Sequence, residues 1–143
     1  MQLEKILCTV GIQFQHSNSG GADGYNYGQQ SAVRANYAND ITIDNCEFSH
    51  IGMIGVYFAR SNRVTAVQNV FFDIGYHGVM SFDRVDSDEI EHEDVMIANN
   101  YFDGCGVSKF FQAACIWAGG LKNISVINNE ITNIPNHGIR YIL

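Results

Sequence analysis

Apolar and polar residues alternate along this chain in short bursts. "ITI" (Ile41 to Ile43), the pair Glu47-Phe48 and "GVYF" (Gly55 to Phe58) are typical. A period of two is the period of a half-buried strand, whose successive side chains point to opposite faces. The bursts come in threes, and the threes recur. "ITIDNCEFSHIGMIGVYF" (Ile41 to Phe58) overlays "VTAVQNVFFDIGYHGVMS" (Val64 to Ser81) at an offset of 23 residues. Ile41 then meets Val64, Phe48 meets Phe71, Ile51 meets Ile74, and Gly52, Gly55 and Val56 meet Gly75, Gly78 and Val79. "VMIANNYFDGCG" (Val95 to Gly106) puts Phe102 and Cys105 in the Phe48 and Ile51 columns. "ISVINNEITNIPNHGIRY" (Ile124 to Tyr141) adds Ile131, Ile134, Gly138 and Ile139. "SAVRANYAND" (Ser31 to Asp40) and "GIQFQHS" (Gly11 to Ser17) are partial copies upstream.

Between the first two bursts stand Gly11, Asn45, Gln68, Asn99 and Asn128, at points where a sharp corner needs left-handed backbone. Three short strands per repeat, with corners and no helix between them, predict an all-β fold: a parallel β-helix of about five rungs. Adjacent rungs would stack by strand pairing at roughly 4.8 Å. Phe48, Phe71 and Phe102 would form one interior column, and Ile51, Ile74, Cys105 and Ile134 another. A sandwich of hairpins explains the alternation but not the fixed columns.

Composition agrees. Helix formers are scarce, and the one helical candidate, "SDEIEHEDVM", lacks an apolar stripe. With 143 residues and 46% apolar content, residues 1–143 suffice for one domain with a sizeable core. The net charge of −7 argues against nucleic acid as a partner, which would require a basic surface. "MQLEKILCTVGI" does not have the form of a signal peptide, and no apolar run approaches a membrane span. The cysteines Cys8, Cys46, Cys105 and Cys115 form no CxxC pair, and no histidine cluster has zinc spacing, so no metal site is expected.

The consensus "nVtIxNNxFxxIGxxGIxx" resembles the right-handed parallel β-helix repeats of the pectin-lyase-like superfamily, over nearly the whole chain. "GIQFQHS", "FSHIG" and "HGIRY" look most like the large bacterial β-helical glycoside hydrolases. The resemblance implies a right-handed coil and a carbohydrate-active protein whose polysaccharide lies along one sheet. Full-length relatives are secreted or periplasmic. Such proteins are usually longer, so the chain is expected to be part of a longer solenoid, with end-to-end self-association through uncapped rungs. The fold also hosts non-catalytic glycan-binding or structural modules and inactive fragments. It hosts calcium-assisted uronate lyases as well, the one case in which a cofactor, calcium, is expected.

Candidate chemistry follows the repeat. In the "GVYF" strands the residues after the inward column are Arg34, Tyr57, Met80, Trp117 and Arg140, one exposed column on one sheet. Aromatic faces pack on sugar C–H surfaces and guanidinium forks bind hydroxyls or carboxylates, so Arg34, Tyr57, Trp117 and Arg140 are candidate substrate-binding residues. His77 and His137 share a column with Ile54 and Ser31. His77 is a candidate acid, base or donor and His137 a candidate sugar contact, against the plainer role of bonding a turn carbonyl. The acidic segment "DRVDSDEIEHEDV" (Asp83 to Val95) follows the groove strand. Glycosidases need two carboxylates flanking the scissile bond, and Asp83 and Asp86 lie nearest the strand end. Tyr25 and Tyr27, in "NSGGADGYNYGQQ", could border the groove. His16, His50 and His92 have weaker cases.

Overall fold

The computed structural model describes residues 7–8, 12–17, 30–82, 92–108 and 112–142. Its strands fall into three parallel sheets. The first sheet runs β1 (Leu7–Cys8), β4 (Asn39–Asp44), β7 (Asn62–Val67), β10 (Glu93–Ala98) and β13 (Lys122–Ile127). The second runs β2 (Gln13–Ser17), β5 (Glu47–Ile51), β8 (Val70–Ile74), β11 (Tyr101–Cys105) and β14 (Glu130–Thr132). The third runs β3 (Ser31–Asn36), β6 (Ile54–Ala59), β9 (His77–Phe82), β12 (Ala114–Gly119) and β15 (His137–Ile142). Each rung supplies one strand to each sheet, so every strand pairs with its equivalents one rung away. This is the expected parallel β-helix. The tail of the helical candidate, from Glu93 onward, is strand β10.

The register reproduces the columns read from the repeat. Phe48 pairs with Phe71 and Phe71 with Phe102, while Ile51, Ile74 and Cys105 align beside them. The rings of Phe14, Phe48, Phe71 and Phe102 lie nearly parallel, with successive centroids 4.8, 4.9 and 4.7 Å apart. That is the spacing of hydrogen-bonded strands, so the backbone ladder sets the stack. It exceeds the optimal contact distance between carbon atoms, about 3.5–4.0 Å, and so is compatible with the offset arrangement that ring quadrupoles favour. Burial falls off in the last rung: Ile139, aligned with Ile116 and Val79, is 54% exposed.

Corners are made by residues with positive φ, and they too form columns. Asn45, Gln68, Asn99 and Asn128 have φ of 51°, 57°, 55° and 52°. These are the corners expected from the sequence; Gly11 lies outside the described residues. A second column is His16, His50, Asp73, Gly104 and Asn133, and a third is Asp40, Arg63, Asp94 and Asn123. Arg63 forks onto Asp40 (Nε to Oδ1 2.7 Å, a guanidinium N–H to Oδ2 3.0 Å), and Asn123 Nδ2 donates to Asp94 Oδ1 at 3.0 Å. Like residues stacked in register would repel where charged, and alternating acid, base and amide avoids this.

Inside the first corner runs an asparagine ladder. Asn100 Oδ1 accepts from the backbone N–H of Asn69 (2.9 Å) and from Asn69 Nδ2 (3.0 Å). Asn129 Oδ1 does the same for Asn100, at 3.0 and 2.9 Å. Each Nδ2 also donates to a carbonyl: Asn69 to Ile43, Asn100 to Ala66, Asn129 to Ile97. Buried amides are costly when unpaired, and the ladder pairs them. Cys46 occupies the ladder position one rung earlier, and its N–H donates to Asn69 Oδ1 at 2.9 Å.

A second polar couple interrupts the core. Ser81 stands in the column of Phe58 and Ala118, and Ser81 Oγ bonds His92 Nε2 at 2.7 Å. His92 Nδ1 meets the backbone of Ser61, and both Ser81 and His92 are fully buried. A small side chain replaces a large one at 81, and a large one enters at 92, so volume is conserved between adjacent columns.

Candidate functional site

The three middle strands of the third sheet, β6, β9 and β12, are buried on both faces, and its end strands β3 and β15 are more open. In β6, β9 and β12 the side chains of Val56, Phe58, Val79, Cys115, Ile116 and Ala118 join the interior core. Gly55 and Gly78 precede Val56 and Val79, and a Cβ on either would run into a phenylalanine of the following rung: Phe71 at 2.9 Å and Phe102 at 2.6 Å. Two consecutive positions therefore face inward, and the residues on either side of them face out. Ile54, Tyr57, Ala59, Met80, Ala114 and Trp117 form a separate outer cluster, with Met53, Tyr76 and Ala113.

Within that cluster the register runs Arg34, Tyr57, Met80, Trp117, Arg140, one residue per rung. The guanidinium of Arg34 lies 5.2 Å from the centre of the Tyr57 ring, and that of Arg140 lies 4.9 Å from the centre of the Trp117 ring. Both are cation–π distances. Tyr57 also donates its hydroxyl to Phe82 O at 3.4 Å. The column points outward, as read from the sequence, but its middle is not open. Tyr57, Met80 and Trp117 retain 9%, 7% and 9% of their exposure, whereas Arg34 is exposed and Arg140 half-buried. The alternation gave the direction of these side chains. Their cover depends on packing beyond the strand, which the repeat does not encode.

The neighbouring column is Ser31, Ile54, His77, Ala114, His137. Its two histidines differ. His137 is exposed. His77 is fully buried, its ring 3.7 Å from Tyr76 and edge-to-face with Trp117 at 4.6 Å. His77 Nδ1 sits 3.1 Å from both the N–H and the carbonyl oxygen of Ala114. Burial pushes its pKa down to about 3; the Ala114 backbone opposes the shift and the charge of Arg140 adds to it. The imidazole is therefore neutral near pH 7 and has no protonated form to serve as a general acid. Tyr76 stands at the position equivalent to Met53, and nothing in the repeat singled it out.

Asp83, Asp86, Tyr25 and Tyr27 lie outside the described residues. Of the acidic segment, Glu93 and Asp94 are described, and both belong to the first sheet. The strands of the third sheet carry no Asp or Glu. His16 and His50 stack at 5.2 Å on the second sheet, where His50 Nδ1 bonds Asp73 Oδ2 at 2.7 Å. They are not brought to the third. Among the described residues no three His, Cys, Asp or Glu side chains converge as a metal site. Cys46, Cys105 and Cys115 are buried, and the pKa of the Cys105 thiol is pushed up by its hydrogen bond with Cys115 and by burial.

A family model described as a right-handed beta helix region matches residues 6–143. No curated protein and no solved structure matches the chain.

Proposed function

We propose that this chain, which belongs to the right-handed β-helix family, binds an extended polysaccharide along the outer face of its third sheet. The observation that carries the reading is the Arg34–Tyr57–Met80–Trp117–Arg140 column, with a guanidinium over an aromatic face near each end. Aromatic faces and guanidinium forks are the groups that hold sugar rings and their hydroxyls. Spacing by rungs sets these side chains about 4.8 Å apart along the axis, with Met80 between the two aromatic rings, which suits a chain-like ligand better than a compact one. His137 extends the surface at its exposed end.

The reading includes glycoside hydrolase-like chemistry, with Asp83 and Asp86 as the carboxylate pair. His77 then acts as a neutral hydrogen-bonding group and not as acid or base. A non-catalytic glycan-binding module is the second reading. It is favoured by the absence of carboxylates from the third sheet's strands and by the buried, neutral state of His77.

The test is a polysaccharide panel incubated with the purified chain, with and without calcium. Binding, new reducing ends and absorbance from unsaturated products are recorded together. Reducing ends without absorbance, lost in Asp83→Ala and Asp86→Ala, support hydrolysis. Binding without product supports the module. Absorbance abolished by a chelator would replace both with a calcium-assisted lyase. No binding to any member would end the carbohydrate reading.

A further inference from the structure

Three side-chain polar atoms on the strands of the third sheet are buried and have no hydrogen-bond partner: Ser31 Oγ, His77 Nε2 and Trp117 Nε1. The last two belong to rings that touch edge-to-face with centroids 4.6 Å apart. The great majority of buried polar side-chain atoms are paired, and an unpaired one costs about 1–3 kcal/mol. Two such atoms on adjacent rungs, beside the Arg140 guanidinium, are a concentrated unmet demand. It falls on the face that carries the cation–aromatic column.

The chemistry of the pair restricts what can meet it. Indole Nε1–H is a donor only. His77 Nε2 is a donor if Nδ1 accepts the Ala114 N–H, and an acceptor if Nδ1–H donates to the Ala114 carbonyl. Both arrangements fit the 3.1 Å contacts. A carboxylate oxygen, an acceptor only, satisfies the first tautomer and is repelled by the lone pair of the second. A hydroxyl accepts from Trp117 and can either accept from or donate to His77, so it satisfies both. The imidazole is uncharged, and the Arg140 guanidinium beside the pair lies over the face of the Trp117 ring, so the preference rests on the hydrogen-bonding capacity of the two nitrogens and not on charge.

We infer that His77 Nε2 and Trp117 Nε1 together form a subsite for one hydroxyl group of a neutral saccharide unit. The inference rests on the saccharide-binding reading of this face and assigns it a preference for hydroxyl over carboxylate. Both rings are nearly closed from solvent, so uptake requires the outer layer to part, beginning with the Arg140 side chain over the Trp117 ring.

The chain has one tryptophan, so a single indole N–H resonance reports on the subsite directly. The 15N-labelled full chain is titrated with neutral gluco- and galacto-oligosaccharides and with oligouronates. The expected result is a shift of the indole resonance, and slower exchange of its proton, with a neutral oligosaccharide. His77→Asn retains an acceptor for the Ala114 N–H and removes Nε2. Trp117→Phe retains a ring and removes the N–H. Each should weaken that binding about tenfold, the loss of one good hydrogen bond.

Saccharide binding that leaves the indole resonance and both variants' affinities unchanged would overturn the subsite while leaving the groove intact. Binding of oligouronates alone would overturn the hydroxyl preference. A water bonded to the indole N–H in the ligand-free protein, seen as a cross-relaxation peak between that proton and a long-lived water, would meet the demand without a saccharide and overturn the subsite. Failure of every saccharide to bind would overturn the groove and the subsite together.

Discussion

Replacing Gly78 with alanine tests how tightly the rungs are fitted. The new Cβ would lie 2.6 and 2.7 Å from Phe102 ring carbons and 2.9 Å from the Cys115 carbonyl oxygen. Ordinary carbon contact is about 3.5–4.0 Å, so the ring must retreat by roughly 1 Å. Phe102 is stacked on Phe71 and fully buried, so the shift is passed along the aromatic column. Overpacking of this kind costs about 1–3 kcal/mol, against about 0.4–1 kcal/mol regained from the stiffer unfolded chain. The net expectation is about 1–2 kcal/mol of destabilisation. At about 2–4 °C per kcal/mol, that lowers Tm by several degrees.

The neighbouring rung suggests the rescue. There Cys115 stands in the glycine column, aligned with Gly78 and Gly138, and the phenylalanine column gives way to Ile131. Phe102→Ile should therefore relieve Gly78→Ala. In urea unfolding followed by the single tryptophan, the double variant should be less destabilised than the sum of the singles by about 1 kcal/mol. The rescue stays partial because the Cys115 carbonyl does not move. A neutral or stabilising Gly78→Ala, or strict additivity with Phe102→Ile, would refute the close fit.

Three further expectations follow from buried polar groups. Asn100→Leu breaks the ladder on both sides, leaving the Asn69 amide without its acceptor. It should cost at least about 2 kcal/mol in urea unfolding, and an unchanged midpoint would contradict the ladder's role. Ser81→Ala removes a buried hydrogen bond to His92 Nε2 and should cost about 0.5–1.5 kcal/mol by the same measurement, whereas a surface serine would cost nothing measurable. His77 has a folded pKa of about 3 against 6.5 in its ordinary state. Its contribution to stability is complete above about pH 6.5 and is lost as pH falls toward 3, at up to about 1.4 kcal/mol per pH unit. His77→Asn should flatten that part of the stability profile, and an unchanged slope would place the titration elsewhere.

The fold was legible because a solenoid writes its architecture as repetition. The offset between Phe48 and Phe71 is a physical spacing, one turn of chain, and the same offset sets every pairing from Ile41–Val64 to Val56–Val79. The corner residues Asn45, Gln68, Asn99 and Asn128 were legible for the same reason. The ladder of Asn69, Asn100 and Asn129 was not separated from them. In "QN" and "NN" the first residue turns the chain and the second bonds along the axis, and sequence alone does not divide those jobs. The candidate site was legible in direction only. Alternation put Tyr57 and Trp117 outside, but burial of those rings, the T-shaped contact of His77 with Trp117 and the contact with Tyr76 depend on packing across rungs. The pairing of Ser81 with His92 was hidden because it breaks two columns at once and satisfies neither pattern by itself.

The most direct test of saccharide binding along the third sheet is a calorimetric titration of a polysaccharide panel into the wild-type chain and into Arg34→Ala/Arg140→Ala. Both arginines lie at the accessible ends of the column, so their removal leaves the core intact. Saturable binding by the wild type, weakened at least tenfold in a double variant that stays folded and loses no more than the two cation–π contacts, about 0.5–1 kcal/mol each, is the predicted result. Equal affinity in the two proteins, or no binding by either, would contradict it.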